Sequence, residues 1–238
     1  MPLRDGVLEA RAAAPAVEFT YRGGPLLTSV DVLTVFWGTA WNESALAPLV
    51  DDLNAFFADV VDSPYLDQLA EYSTDEQPIG RGTFAGTQTL SNDPASAVVS
   101  DSEIQDVLQS ALAAGELPEP GPNRLYALFV PPGVAVDLGG DLSCRVFCGY
   151  HNAITDEVFY AVLPHPNCAG CLGGMSVLDS LTTTASHELA EAVTDPVPGA
   201  GWYDDANGEI GDVCAWQTKQ LDRWVVQLEW SNEAGACV

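Results

Sequence analysis

The stretch Thr182-Thr-Thr-Ala-Ser-His-Glu-Leu-Ala-Glu-Ala-Val-Thr-Asp195 reads as the second half of a helix, and its polar side chains dictate what the other elements must support. Leu178, Leu181, Ala185, Leu189 and Ala192 fall within about 80° of one another at ~100° per residue, so the apolar stripe extends the helix back to about Met175. Pro196 and Pro198 forbid its continuation. His187, Glu188 and Glu191 form the pattern H-E-x-x-E, one residue type away from the H-E-x-x-H of zinc peptidases. Side chains at i and i+4 stack on one helix face, so His187 and Glu191 can grip one ion while Glu188 leans in from the side. That face lies opposite the stripe, which suits a cleft and equally suits plain solvent.

In the metal-ion reading, His187 Nε2 and a Glu191 oxygen are ligands at ~2.0–2.2 Å. Glu188 is then the general base toward a water whose pKa the ion lowers to ~7. The third ligand is expected from the acidic loop 201–212, with Asp212 first and Glu209 second; Asp204 and Asp205 are further carboxylates there. The chain has three histidines. His151, after Cys148-Gly-Tyr, is a candidate outer-shell or oxyanion-stabilising group, against the plainer reading of an exposed loop residue. His165, between two prolines, reads as surface.

Working outward, Ser29-Val-Asp-Val-Leu-Thr-Val-Phe-Trp37 and Leu125-Tyr-Ala-Leu-Phe-Val130 are apolar and β-rich, as strands covered on both faces are. Glu157-Val-Phe-Tyr-Ala-Val-Leu163 is a third such strand, and 80–90 alternates loosely enough for an edge. A helix with Asn42 or Ser44 as N-cap follows the first strand, since Leu46, Leu49, Val50, Leu53, Phe56, Phe57, Val60 and Val61 repeat at helical spacing. Residues 64–72 offer a shorter helix. Ser100 and Glu103 form a capping-box pair before Ile104, Val107, Leu108, Ala111 and Leu112, with Gly115 closing that helix. Loop is expected from Pro131 to about Asp141, and a half-buried strand over 224–230. These elements predict an α/β (α+β) fold: one domain over 21–238, a mixed central sheet with packed helices, preceded by a mobile arm, residues 1–20.

Eight Lys and Arg against 34 Asp and Glu give a net charge of −26. That field repels phosphate backbones and anionic lipid surfaces, so neither nucleic acid nor a membrane is an expected partner. No apolar run approaches the ~18 residues of a transmembrane helix. Arg4, Glu9 and Arg11 interrupt any signal-peptide core, so none is recognised. No G-x-S-x-G elbow, P-loop or G-x-G-x-x-G turn is found.

All six cysteines, Cys144, Cys148, Cys168, Cys171, Cys214 and Cys237, lie late in the chain. Three disulfides use every thiol, whereas a zinc ribbon built on the first four strands the last two. The pairing is left open. The loop from Asp204 to Glu209 hints at calcium, but its carboxylate spacing does not fit the EF-hand register.

Taken in order, Tyr21-x-Gly-Gly-Pro25, Val30-Asp-Val-Leu-Thr-Val-Phe-Trp-Gly38, Asn123-x-Leu-Tyr126, Cys148-Gly-Tyr-His151, His187-Glu-x-x-Glu191-x-x-Thr-Asp-Pro196, Trp202 and Gly208-Glu-x-x-Asp212-x-Cys214 form a recognisable series. It resembles the EXORDIUM, or phosphate-induced protein, family of plants and its bacterial relatives over 21 to about 238. The resemblance implies an extracellular setting, which favours disulfides. It makes His187, Glu188, Glu191 and Asp212 the motif residues, with His151 and Cys148 in the upstream turn. The order of strand, helix, strands, H-E helix and acidic loop also looks like zincin metallopeptidases, with Glu191 in place of the second histidine. The expected function is a zincin-like metallopeptidase on a peptide or protein substrate, with Zn2+ as cofactor and Ca2+ or Mn2+ as competitors. The rival expectation is a secreted non-catalytic domain with a structural metal or none.

Overall fold

The computed structural model describes residues 1–3, 17–155 and 157–238. A five-stranded sheet forms from β1 (Asp31–Trp37), β2 (Thr83–Leu90), β3 (Arg124–Val130), β4 (Tyr150–Ile154) and β5 (Val158–Pro164), in the order β2-β1-β3-β5-β4. The first four in that order run parallel, and β4 joins antiparallel to β5 at the edge. The mixed sheet follows from the connections. Parallel neighbours need long crossovers, which helices α1 (Ala47–Val60) and α2 (Asp101–Ala113) help to supply, whereas three residues suffice between β4 and β5.

Alternate residues of the interior strands enter two different cores. Val32, Phe36, Leu125, Ala127, Phe129, Phe159, Ala161 and Leu163 face α1 and helix α3 (Val177–Thr194). Leu33, Val35, Trp37, Tyr126, Leu128, Tyr160 and Val162 meet Ile104 and Leu108 of α2 on the opposite face. The near-continuous apolar runs of β1, β3 and β5 exist because both faces are covered. Beyond α3, hairpin strands β6 (Thr218–Leu221) and β7 (Trp224–Gln227) pack against its far side.

Several local expectations need correction. The helix after β1 starts at Ala47, with Leu46 as N-cap and Pro48 in its first turn, while residues 39–42 form a 3-10 turn. The segment 131–141 is not all loop, because Ala135–Leu138 pairs with Val98–Ser100 and Asp141–Leu142. His165 is half-buried beside Trp41. Of the expected arm, residues 4–16 lie outside the described residues. Residues 1–3 bind along 146–148, and Thr20–Tyr21 pairs with Trp202–Tyr203.

The cysteines pair as Cys144–Cys168, Cys148–Cys171 and Cys214–Cys237, the first two interleaved in sequence. The pairing consumes the thiols on which a zinc ribbon would depend.

A buried histidine–carboxylate centre

Helix α3 is buried around its whole circumference from Ser180 to Thr194, so its polar face does not meet solvent. The apolar stripe packs on the sheet and the opposite face is closed by β7 and the loop before it. His187 and Glu188 are 0% exposed and Glu191 3%. A solvated face, the plainer reading of H-E-x-x-E, is thereby ruled out.

His151 sits in β4, not in an exposed loop. It pairs with Ala161, and directly opposed residues of an antiparallel pair present side chains to the same face. Ala161 belongs to the core under α3, so His151 points there, and the small alanine leaves room for the ring. Its Nδ1 lies 3.4 Å from Glu188 Oε2 and 3.6 Å from Glu191 Oε2; its Nε2 lies 3.3 Å from Glu209 Oε1 and 3.0 Å from the Asp195 carbonyl. One helical turn apart, His187 Nε2 and Glu191 Oε1 are 3.1 Å from each other, and Glu188 Oε1 is 3.9 Å from the same nitrogen.

Two triads with ligand atoms within 4.8 Å of one another result: His187, Glu188 and Glu191, and His151, Glu191 and Glu209. Glu191 is common to both. Among the described residues, His187 Nε2, Glu188 Oε2, Glu191 Oε1 and Glu209 Oε1 are buried without a well-formed hydrogen bond. Nitrogen and oxygen atoms that converge at ion-pair distance without well-formed hydrogen bonds suit a shared cation.

Charge sets the protonation states. Burial alone would depress His187, but Glu191 and Glu188 outweigh it and hold the ring at about 9. His151 is held well above its ordinary value against its burial, by Glu209, Glu188 and Glu191. Burial acts the other way on the carboxyls, and Glu188 and Glu191 stay below the ordinary range only because cationic groups surround them. Glu209 is pushed up to about 8 and Asp212 to about 6, burial being the largest cause in each.

Behind His187, Gln227 Nε2 lies 2.7 Å from Nδ1 and donates to the Gly211 carbonyl at 2.9 Å. As placed, the amide leaves the ring proton on Nε2. Protonating Nδ1 as well would require the amide to turn over, setting its oxygen against the Gly211 carbonyl and its nitrogen against the Trp216 amide, from which the oxygen now accepts at 3.2 Å. The two hydrogen bonds of Gln227 thus oppose the pull of Glu191 and Glu188 on the ring. Glu229, also buried, accepts from the Tyr65 hydroxyl at 2.7 Å. Neither Gln227 nor Glu229 was a sequence candidate; strict alternation over 224–230 fails because both are buried alongside Trp224 and Val226.

The loop 201–212 reaches the helix through glycine. A Cβ on Gly211 would lie 2.7 Å from His187 Nδ1 and 2.8 Å from Glu191 Oε1. Glu209 enters the centre, whereas Asp212 stands at its edge: its Oδ2 accepts from the Glu209 amide at 3.3 Å and it belongs to neither triad. Asp195 fixes the turn into this loop by accepting from the amides of Gly199, Ala200 and Gly201. Asp204 does the same farther on with the amides of Ala206 and Asn207, and Asp205 pairs with Arg22. Among the described residues, neither joins a metal-competent group, so the hint of calcium there has no support.

An open pocket of about 290 Å3 exposes one side of the centre, lined by Tyr150, His151, Glu188, Glu191, Glu209 and Asp212 among others. The Met1 ammonium also enters it, 2.6 Å from Glu188 Oε1 and 2.7 Å from the Gly149 carbonyl. A pocket of about 360 Å3 near Pro25 and Pro120 has Glu157 as its one carboxylate and no histidine.

Fold and site together define a disulfide-bonded α/β protein with a buried histidine–carboxylate centre between an antiparallel edge strand and a helix. Its sequence is similar to that of Protein EXORDIUM-like 5 of Arabidopsis thaliana, 25% identical over 237 aligned residues. The match covers 83% of this chain and 64% of the plant protein, so the chain spans less than two thirds of that relative. No protein-family model matches the chain. The three disulfides fit an oxidising environment. No helix among the described residues is long and apolar enough to cross a membrane.

Proposed function

We propose that the protein is a metal-dependent hydrolase of peptide bonds, resembling zincin metallopeptidases. The observation that carries this reading is the set of buried nitrogen and oxygen atoms that converge around Glu191 without well-formed hydrogen bonds, open on one side to a pocket. Imidazole with carboxylate suits zinc, and the high carboxylate share lets manganese or calcium compete. His187 and Glu191 would hold the ion, with Glu209 as third ligand in place of Asp212. When bound, the ion would supply Lewis acidity at a substrate carbonyl and acidify water.

The remaining chemistry belongs to the chain. Glu188, kept ionised by its cationic neighbours, accepts a proton from the attacking water and delivers it to the leaving nitrogen. His151, held protonated, donates to the oxygen on which negative charge develops. Asp212 positions Glu209 through its amide. Gly211 lets the loop backbone close on His187 and excludes water from that side.

The test is elemental analysis of protein purified without chelator, followed by digestion of a broad peptide library. About one zinc per chain is expected, with cleavage abolished in Glu188→Gln at unchanged metal content. Absence of metal after zinc reconstitution would sink the reading. One observation favours a second reading, a non-catalytic extracellular binding domain: His151, His187 and the Met1 ammonium already supply cationic charge to the carboxylates. Full thermal stability without metal and no cleavage with zinc would establish it.

A further inference from the structure

Glu191 faces two histidines with its two oxygens. Oε1 lies 3.1 Å from His187 Nε2, and Oε2 lies 3.6 Å from His151 Nδ1. The hydrolase reading places its ion on the first side, and the second side has a donor set of its own. His151, Glu191 and Glu209 each bring one ligand atom within 4.8 Å of the others. Glu191 is 3% exposed and His151 6%. The Asp195 carbonyl, 3.0 Å from His151 Nε2, can only accept, so that nitrogen carries a proton and Nδ1 is the ring atom able to give a lone pair. A carbonyl on the far nitrogen is a usual means of fixing a metal-binding imidazole. Glu209 Oε1, buried without a well-formed hydrogen bond although 3.3 Å from the same ring, completes the set. His151 is held by β4 and Glu191 by α3, so two rigid elements fix the ligands. Charge points the same way. Glu188, Glu191, Glu209 and Asp212 line one pocket, and among the described residues that line it there is no lysine or arginine. One divalent ion offsets two of these four carboxylates, and a second offsets the others.

We propose that His151, Glu191 and Glu209 form a second divalent-cation site, so that Glu191 bridges two ions and the centre is a two-metal one. The first ion, at His187, is that of the hydrolase reading, on which this second site rests. Glu209, already the third ligand of the first ion, is shared as Glu191 is. The second ion replaces the Nδ1 proton of the charged His151 ring, so positive charge beside the pocket is kept while its carrier changes. Proton and ion therefore compete for one nitrogen: with one ion bound His151 donates, and with two it ligates. Glu188 is left free as the base, because Glu191 and Glu209 supply the carboxylate oxygens of the second site. Three protein ligands leave coordination positions open toward the pocket. The high share of carboxylate oxygen suits manganese.

The test uses the full chain stripped of metal, with Mn2+ alone as the probe. Calorimetric titration is expected to give about two sites per chain. Paramagnetic resonance of the loaded protein should show an exchange-coupled signal, as ions about 3.5–4 Å apart produce. His151→Gln should lower the count to about one and leave the uncoupled spectrum of an isolated ion, with circular dichroism showing that the variant is folded. Should that variant not fold, the wild-type count and coupling decide the matter without it. A single site in the wild-type protein, or two uncoupled ions, overturns the proposal, as does a coupled pair that folded His151→Gln retains. Neither readout needs turnover. A coupled pair in a protein that cleaves no peptide leaves the second site standing without the hydrolase, and a peptidase that saturates with one ion does the reverse.

Discussion

Helices α2 and α3 cover opposite faces of one sheet, and Glu103 of the one and the Glu188–Glu191 pair of the other are satisfied in opposite ways. In α2, Glu103 and Asp106 are exposed, and Glu103 closes a reciprocal capping box with Ser100, whose amide hydrogen bond lowers its pKa. Everything that satisfies Glu103 lies within four residues of it. In α3, Glu188 and Glu191 are buried, and much of what satisfies them comes from distant chain: His151 from β4 and the ammonium of Met1. The Glu103 cap is specified locally, although Asp101 of the same helix accepts from the Tyr150 and Tyr160 hydroxyls. Helix α3 is stable in its polar half only when the whole fold assembles around it, which is the condition under which carboxylates become chemically useful.

The contrast is broken most severely at Glu191. Replacing it with alanine leaves His187 and His151 buried without their shared carboxylate, and urea melts of metal-free protein should show a loss of about 3–5 kcal/mol. The counterpart Glu103→Ala should cost far less, since solvent replaces its partners. A loss at Glu191 no larger than at Glu103 would refute the idea that α3 depends on distant partners. Next in size, serine at both Cys214 and Cys237 frees the link between the loop facing α3 and the carboxyl end. The expected cost is about 2–4 kcal/mol in the same melts.

Dependence on pH sharpens the comparison further. His187, at about 9, stabilises the fold fully below its ordinary 6.5 and loses that contribution as pH rises through 9. Glu209, at about 8, behaves alike, because above its ordinary 4.5 the folded state holds a proton that the unfolded chain has released. Metal-free protein should therefore lose at least about 4 °C in Tm between pH 6.5 and 9, and Glu209→Gln should flatten the decline. A flat or rising Tm over that interval counts against the assignment. Glu103 has the opposite sign: its lowered pKa stabilises above the ordinary carboxyl value and is lost only in acid. The smallest effect belongs to the local cap itself. Ser100→Ala should cost about 1 kcal/mol in urea, with metal content unchanged.

The legible parts share one property, that their signal lies within a few residues. The capping box at Ser100 and Glu103, the buried strands through Val35, Leu128 and Val162, and the spacing of His187 to Glu191 are all short-range patterns. The plainer reading of His151 as an exposed loop residue fails, and it arose because Tyr150-His-Asn-Ala-Ile154 is short and polar in its middle. It becomes a strand only by pairing with β5. Gln227 and Glu229 were missed because period two puts a strand's polar residues in water, whereas here α3 covers that side as well. Asp212 and Glu209 were read as first and second choice for the third ligand; the turn organised by Asp195 and the closeness allowed by Gly211 bring Glu209 Oε1 to His151, with Asp212 lining the same pocket.

By itself, the sequence determined that apolar strands alternate with amphipathic helices, that six cysteines suit three bridges, and that one helix carries a histidine and two glutamates at ligand spacing. Those are properties of periodicity and composition. Tertiary structure decided that the helix is buried, with a pocket reaching Glu188 and Glu191, that His151 and Glu209 complete its cluster, which cysteines join, and that residues 1–3 lie along 146–148. The reason is electrostatic as well as geometric. A buried carboxylate is defined by the charges within a few ångströms, and here those charges come from chain segments up to 187 residues away.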